Sequence, residues 1–149
     1  MMVMNKRGVT LIELIVVMVI IAIGAVLMAP NIGRWLPNYR LRSATRDIVS
    51  TMRVAQMKAV STNMPYRVAF DTAHKTYITE YQNTGGNWIA DGTNQTLPSG
   101  VNFNTTFGGN ISTFSPNLAA SEGNITVSNT KGSTKTVRLL GTTGRIKIE

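Results

Sequence analysis

The chain of 149 residues contains no cysteine, so it can form neither a disulfide nor a thiolate metal site. It also has few acids, with seven Asp and Glu against 15 Lys and Arg, and its formal net charge is +8. From Asn124 onward the only acid is Glu149. Because calcium sites need several oxygen ligands that include carboxylates, a bound calcium ion is not expected there. The sequence predicts no metal site and no cofactor.

The single histidine gives little support for catalysis. His74 lies in a predicted turn near Asp71, and the sequence has no cysteine nucleophile, no glycine-rich phosphate loop and no cluster of metal ligands. A histidine in such a turn is expected to be exposed to solvent. The sequence therefore predicts a protein that is not an enzyme and has no catalytic residue.

Charge is also missing from a long apolar segment near the start of the chain. Between Val9 and Ala29 the only ionisable side chain is Glu13, and the basic residues Lys6 and Arg7 come just before this segment. Its length and composition predict a membrane-spanning helix. The basic pair predicts that the chain starts in the cytoplasm, so the residues after the helix are expected on the other side of the membrane.

The carboxylate of Glu13 is costly in such a segment. Insertion scales put a charged residue at the centre of a membrane helix at roughly 2.5 to 3.5 kcal/mol unfavourable. A secretory signal peptide and a plain single-pass anchor are two simpler interpretations, but the apolar segment is longer than the usual signal-peptide core of about 7 to 15 residues. Both interpretations leave Glu13 unexplained.

The segment around Gly8 resembles the class III leader of type IV pilins and type II secretion pseudopilins, with Lys6-Arg7-Gly8 followed by Val9-Thr10-Leu11-Ile12-Glu13-Leu14. The resemblance implies that a prepilin peptidase cuts between Gly8 and Val9 and methylates the new amino terminus at Val9. It also implies a single-pass protein of the bacterial inner membrane, with its C-terminal domain in the periplasm until it joins a pilus or pseudopilus tip. The implied partners are other pilins or pseudopilins, the inner-membrane assembly platform and the lipid bilayer.

Glu13 is the fifth residue of the implied mature chain, a position at which this family keeps a carboxylate. In a helical filament, Glu13 of one subunit can meet the charged amino terminus of the next subunit. This contact pairs two groups that are each costly alone in an apolar bundle, and methylation of Val9 keeps the positive charge. We therefore predict that Glu13 is one half of an assembly charge pair.

A second helical pattern follows the apolar segment. From Asn38 to Asn63 apolar residues recur every three or four positions, which predicts a helix with one buried face made of Leu41, Ala44, Ile48, Met52, Ala55 and Ala59. Arg42, Arg46 and Arg53 fall in a narrow arc away from that face, where a solvated surface is expected. The predicted organisation is a cleaved leader (1–8), a membrane and assembly helix (9–29), its amphipathic second half (30–63) and a β-rich domain (64–149).

The β-rich part contains β-prone runs separated by turn residues, which predicts antiparallel strands at 66–70, 76–81, 124–128, 136–140 and 145–149. In the last run, Ile146 and Ile148 alternate with basic residues and are expected to face the core. The middle, 83–123, is rich in Asn, Thr, Gly and Ser and is expected to form loops with irregular strands. The predicted fold class is α+β: one long amino-terminal membrane-spanning helix packed on a small antiparallel β-sheet, as in the pilin fold.

Two segments narrow the resemblance. The helix from Leu41 to Val60 and the closing segment Gly144-Arg145-Ile146-Lys147-Ile148 are similar to the GspH/FimT minor pilins. The resemblance implies a low-abundance subunit that helps to start or cap a filament and does not make up its shaft. Because this group serves both the type IV pilus and the type II secretion pseudopilus, both machines stay open.

The end of the chain is basic, with five cations at Lys131, Lys135, Arg138, Arg145 and Lys147. On adjacent antiparallel strands, Arg138, Arg145 and Lys147 can share the outer face of the sheet and contact phosphates without reading bases. Some similar FimT-type pilins bind DNA through a Gly-Arg-x-Arg tail, and here Lys147 stands at the last basic position. The alternative function is therefore that of a DNA-binding minor pilin of a competence (DNA-uptake) pilus, with double-stranded DNA as the partner. The other interpretations are an ordinary basic surface, an acidic neighbouring subunit or an anionic membrane surface.

Overall fold

The structure is a computed structural model that describes residues 9–149, without the side chains of residues 27–32 and 34. The leader, including Gly8, lies outside the described residues. The chain divides into two compact units between Leu36 and Pro37.

One helix, α1, runs from Leu11 to Thr62. Its backbone is helical through Pro30 and Pro37. It ends where Asn63 adopts a positive φ of 53°, a left-handed conformation that commonly follows the last helical residue. Pro65 comes two residues later and cannot continue a helix. The predicted helix end is confirmed.

In the first unit, α1 is apolar around its circumference. Every large apolar side chain from Leu11 to Val26 is at least half exposed. A helix that is apolar on all sides needs a membrane or other helices around it. No helix among the described residues combines the length and the mean hydropathy that a membrane-spanning helix requires. The predicted membrane segment, 9–29, includes residues 27–29, whose side chains lie outside the described set.

The second unit contains two antiparallel sheets. The first has the order β3-β2-β1-β6, with β4 also paired to β2. The second has the order β5-β7-β8-β9. In chain order the strands are β1 (Tyr66–Asp71), β2 (Thr76–Gln82), β3 (Trp88–Ala90), β4 (Gln95–Thr96), β5 (Val101–Thr105), β6 (Ile111–Phe114), β7 (Gly123–Asn129), β8 (Thr134–Leu139) and β9 (Ile146–Ile148).

The core lies between α1 and the inner faces of both sheets. All six predicted helix residues are buried, and Thr45 and Val49, which the periodicity did not assign to the core, are buried as well. The hydroxyl of Thr45 donates to the carbonyl oxygen of Leu41 at 2.7 Å, so this polar group is satisfied inside the helix. The largest fully buried sheet residues are Phe114, Ile125, Leu139, Val68, Val101, Val127 and Val137. Each such apolar side chain contributes roughly 1.5 to 3 kcal/mol by burial.

The α+β pilin fold is confirmed, but the middle of the chain is more regular than predicted. The segment expected to be loops with irregular strands contains β5 and β6, which pair along their full length with β7 and β1. Two sheets therefore exist where one small sheet was expected. The strand signal was weak because β5 and β6 each contain only two apolar residues, and the segment around them is rich in Asn and Gly, which are uncommon in strands.

The prediction for β9 is half right. Ile146 packs against the core, whereas Ile148 remains 44% exposed. Both side chains lie on the same face, but β9 is the last strand of its sheet, and residues of an edge strand have a neighbouring strand on one side only.

Gly144, just before β9, is required by both conformation and space. Its φ is +59°, its carbonyl oxygen accepts a hydrogen bond from Gln56 Nε2 at 3.0 Å, and a Cβ at this position would meet that nitrogen and lie 2.6 Å from the carbonyl oxygen of Leu118. Gly132, with φ +79°, has no atom within 4 Å of a Cβ built in the same way.

We therefore predict that Gly144→Ala lowers the free energy of unfolding by about 3 kcal/mol, from backbone strain and overpacking together. The matched change Gly132→Ala should cost only the strain, about 1 kcal/mol. Urea unfolding of the detergent-solubilised full chain, followed by tryptophan fluorescence, measures both. Equal losses for the two variants would show that the contact between α1 and the turn before β9 is unimportant.

Candidate functional site

Glu13 lies in the first turn of α1 and completes a capping box. Its Oε2 accepts from the backbone N–H of Thr10 at 3.5 Å, and its own N–H donates to Thr10 Oγ1 at 3.4 Å. A Thr followed three residues later by Glu satisfies two backbone donors of a helix start in this way. The sequence carries this signature, and the predicted role of Glu13 did not include it. The carboxylate therefore has a local structural role as well as the predicted assembly role.

An apolar strip lies beside this carboxylate. Leu11, Leu14, Ile15, Met18, Val19 and Ala22 line one shallow surface of the first unit. Their spacing of three and four residues places them on one face of α1. Such a strip suits packing against another apolar helix. Val9 precedes the helix and is exposed, whereas Gly8, its partner in the predicted cleavage, is not described.

Two of the predicted phosphate-binding residues lie side by side. Arg138 of β8 is directly opposite Lys147 of β9, and Arg138 is exposed between the buried residues Val137 and Leu139. Arg138 and Lys147 therefore project from the outer face of the second sheet. Arg145, just before β9, is also exposed, and its carbonyl oxygen accepts from Leu140 N at 3.1 Å.

Lys135 does not belong to that surface. It is paired with Val127 of β7, and it lies two residues before Val137, so it occupies the inner face of the sheet. There it lines a groove of about 280 Å³ with Arg42, Arg46 and Ile148. Because side chains alternate between the two faces along β8, Lys135 and Arg138, three positions apart, lie on opposite faces of the sheet. The five basic residues at the end of the chain therefore do not form one surface. Lys131 lies in the turn between β7 and β8, where its N–H donates to Asn129 Oδ1 at 3.0 Å.

The cations of the two basic surfaces, Arg138, Arg145 and Lys147 on one and Lys135, Arg42 and Arg46 on the other, form no ion pair with a described acid. Among the described residues the ion pairs are Lys58–Asp91 at 2.7 Å, Arg67–Glu80 at 2.5 Å and His74–Asp71 at 2.6 Å. None of these pairs includes a cation of the two basic surfaces. The hydrogen bond from Lys58 to Asp91 raises the pKa of the lysine and connects α1 to the residue after β3.

His74 lies in the turn between β1 and β2, as predicted. Asp71 Oδ1 accepts from the backbone N–H groups of Ala73 and His74, and its Oδ2 lies 2.6 Å from His74 Nδ1. The backbone N–H and the side chain of His74 hold the pKa of Asp71 below its usual range. This arrangement closes a hairpin turn. Within the described part of the chain, no three His, Asp or Glu side chains form a metal-binding group.

Two protein-family models match this chain, one at its N-terminal segment and one over most of the rest. Residues 3–29 match the prokaryotic N-terminal methylation motif. Residues 44–143 match the family described as type II transport protein GspH. No curated protein matches the sequence.

Three solved structures illustrate the similarity in fold. The minor pseudopilin EpsH from the type II secretion system of Vibrio cholerae aligns with a TM-score of 0.65 at 8% identity, covering 74% of this chain and 96% of EpsH. The type IV minor pilin FimU of Pseudomonas aeruginosa aligns with a TM-score of 0.61 at 16% identity, covering 75% of this chain and 90% of FimU. Escherichia coli GspH aligns with a TM-score of 0.62 at 10% identity, covering 75% of this chain and 89% of GspH.

At these identities the solved structures establish the pilin fold, and the family match establishes kinship. The resemblance of the leader to pilins and pseudopilins is confirmed, and so is that of the second helix half to the GspH group. The closing segment, 144–148, lies outside the matched residues. With the methylation motif at its start and the GspH match over most of its remaining length, this chain belongs to the GspH family of minor pilins and pseudopilins.

Proposed function

We propose that this chain is a minor subunit that is processed after Gly8 and assembles through the first half of α1 to start or cap a type IV pilus or a type II secretion pseudopilus. The observation that carries this proposal is Glu13, the only ionisable side chain between Val9 and Ala29. It lies at the start of a helix whose large apolar side chains are exposed on all sides. Such a surface and its single charge both need partners.

Cleavage by a prepilin peptidase between Gly8 and Val9 creates an amino group four residues before Glu13. Methylation of Val9 keeps this group positively charged. Before assembly, the apolar first half of α1 holds the subunit in the inner membrane, with the domain in the periplasm. The assembly platform then moves the helix into a bundle of pilin helices, in which Glu13 pairs with the amino terminus of the adjacent subunit.

The capping box does not replace this role. Its two hydrogen bonds are long, at 3.4 and 3.5 Å, and only Oε2 of Glu13 takes part. A neutral glutamine can also fill this position of a capping box, although the positive end of the helix dipole favours a carboxylate by about 0.3 to 1 kcal/mol. The cap and the dipole therefore account for a polar or acidic residue at the start of α1, whereas the proposed charge pair also accounts for a charge inside an apolar bundle.

We expect Glu13→Gln to keep the helix cap but to lower incorporation into filaments at least about tenfold, because a desolvated partner charge is left unpaired. Glu13→Ala should lower incorporation to a similar degree. Thr10→Ala removes the hydroxyl of the cap, keeps the carboxylate and should incorporate normally. Immunoblots of sheared filaments, with membrane fractions as the control for insertion, measure all three variants.

The comparison of the two Glu13 variants separates charge from capping. If Glu13→Gln incorporates like the unchanged protein while Glu13→Ala does not, then Glu13 acts through its cap and the charge pair is wrong. If Thr10→Ala also fails to incorporate, the cap itself is required for assembly.

A second candidate function is the binding of double-stranded DNA at the outer face of the second sheet. The observation that favours it is the direct pairing of Arg138 with Lys147, two cations that form no ion pair with any described acid. Arg145 adds a third positive charge nearby. Such a surface suits phosphate contacts without base readout, although Lys147 lacks the bidentate geometry of an arginine.

If this surface binds DNA, the full chain in detergent should retard random-sequence duplex DNA at micromolar protein, and the retardation should weaken as salt increases. The double variant Arg138→Glu with Lys147→Glu should weaken binding by at least about tenfold. Arg42→Glu with Arg53→Glu makes the same change in net charge on α1 and should have a smaller effect. No salt-dependent retardation, or equal losses for both pairs, would rule out this surface.

A further inference from the structure

The second sheet ends at a strand whose outer edge is unpaired. Glu149 exchanges two backbone hydrogen bonds with Thr136, at 2.8 and 3.0 Å, and Leu140 N donates to Arg145 O at 3.1 Å. Hydrogen-bonded positions alternate in an antiparallel pair. The N–H and C=O groups of Ile146 and Ile148 therefore point away from β8, and no described group bonds to them.

A groove runs between this edge and α1. Its volume is about 310 Å³, and its floor consists of Val49, Val54, Met57 and Ile148. Three of these apolar side chains are unusually open, with exposed fractions of 62% for Met57, 44% for Ile148 and 39% for Val54. If another strand were added beside β9, its inward side chains would lie over this floor, because they would continue the face that carries Ile148.

The walls of the groove are positively charged. Arg46 and Arg53 line it from α1, and Arg46 also lines the adjoining groove that contains Arg42 and Lys135. None of these four side chains forms an ion pair or a hydrogen bond with another described residue. The acid on the same stretch of α1, Asp47, accepts a hydrogen bond from Ser43.

We infer that the edge of β9 and this groove bind an extended segment of a neighbouring pilin or pseudopilin subunit, in which acidic side chains alternate in space with apolar ones. The free backbone groups of Ile146 and Ile148 pair with the segment as an added strand. Its apolar side chains cover Met57 and Val54, and its acids meet Arg46 and Arg53. This inference rests on the proposed function, because it takes the partner from the same filament.

Charge complementarity distinguishes this occupant from others. A second copy of the chain would bring further positive charge, since the net charge is +8. The hydrocarbon of a lipid bilayer would cover the floor but would leave the edge of β9 without hydrogen-bond partners. An acidic, extended protein segment satisfies the floor, the walls and the edge together.

The test replaces Met57 with the photoreactive amino acid benzoylphenylalanine in the full chain, in cells that assemble the filament. The matched control carries the same residue in place of Ile89, which is 39% exposed on β3, an edge strand of the first sheet. Near β3 two described cations are already paired, Arg67 with Glu80 and Lys58 with Asp91. After illumination, mass spectrometry identifies the cross-linked peptide.

The expected adduct from position 57 joins the groove to a segment of another pilin or pseudopilin that contains both acidic and apolar residues. Arg46→Glu with Arg53→Glu should lower its yield about tenfold, whereas Arg46→Lys with Arg53→Lys should preserve it, because a point charge suffices for attraction. The Ile89 control should not yield the same peptide. A probe that blocks incorporation while the domain stays folded also supports the inference, because it fills the groove.

Adducts with lipid, with a second copy of this chain or with a non-pilin protein would overturn the inference, as would an adduct whose yield is unchanged by charge reversal. The same cells report incorporation separately. A chain that incorporates normally without a groove adduct therefore refutes the groove and leaves the proposed function intact. Normal incorporation of the Glu13 variants would refute the charge pair, whatever the groove binds.

Discussion

The second unit depends on one constraint, which is that a single face of α1 must be covered by two sheets. The six apolar residues of this face, from Leu41 to Ala59, are all nearly inaccessible to solvent. Three of them are alanines, and such small side chains let the larger sheet residues approach the helix closely at the density of a protein interior. Because β1 and β2 belong to one sheet and β7 and β8 to the other, burial of this face joins two local hairpins into one core.

The placement of charge follows from the scarcity of acids. Within the described part of the chain, three of the seven acids form ion pairs, at Asp71, Glu80 and Asp91. These pairs stabilise a turn, a strand pair and the contact of Lys58 with the residue after β3. Arg42, Arg46 and Arg53 on α1 and the cations of β8 and β9 therefore have no described acid as an ion-pair partner. In a filament subunit such unpaired charge is useful, because electrostatic complementarity favours correct neighbours over incorrect ones. The same excess places cations on both faces of the second sheet, with Arg138 and Lys147 on one face and Lys135 on the other.

Several features were predictable because they depend on neighbours in sequence. The helix and its end followed from the periodicity between Asn38 and Asn63, and the first hairpin followed from two β-prone runs around a short turn. The kinship followed from the segment around Gly8 and Glu13. By contrast, β5 and β6 carry few apolar residues and pair with strands far away in sequence, so local propensity understated them. The capping role of Glu13 was visible in Thr10 but is separate from the assembly role that the resemblance implied.

The sequence by itself determined the amphipathic helix, the single carboxylate in the apolar segment at Glu13 and the excess of positive charge, because periodicity and composition are properties of the chain alone. Tertiary structure decided how that charge is divided. The register of β8 against β7 and β9 puts Arg138 and Lys147 on the outer face and Lys135 on the inner face, beside Arg42 and Arg46. Only long-range pairing sets that register, and only the position of β9 at the end of its sheet leaves Ile148 exposed over a groove.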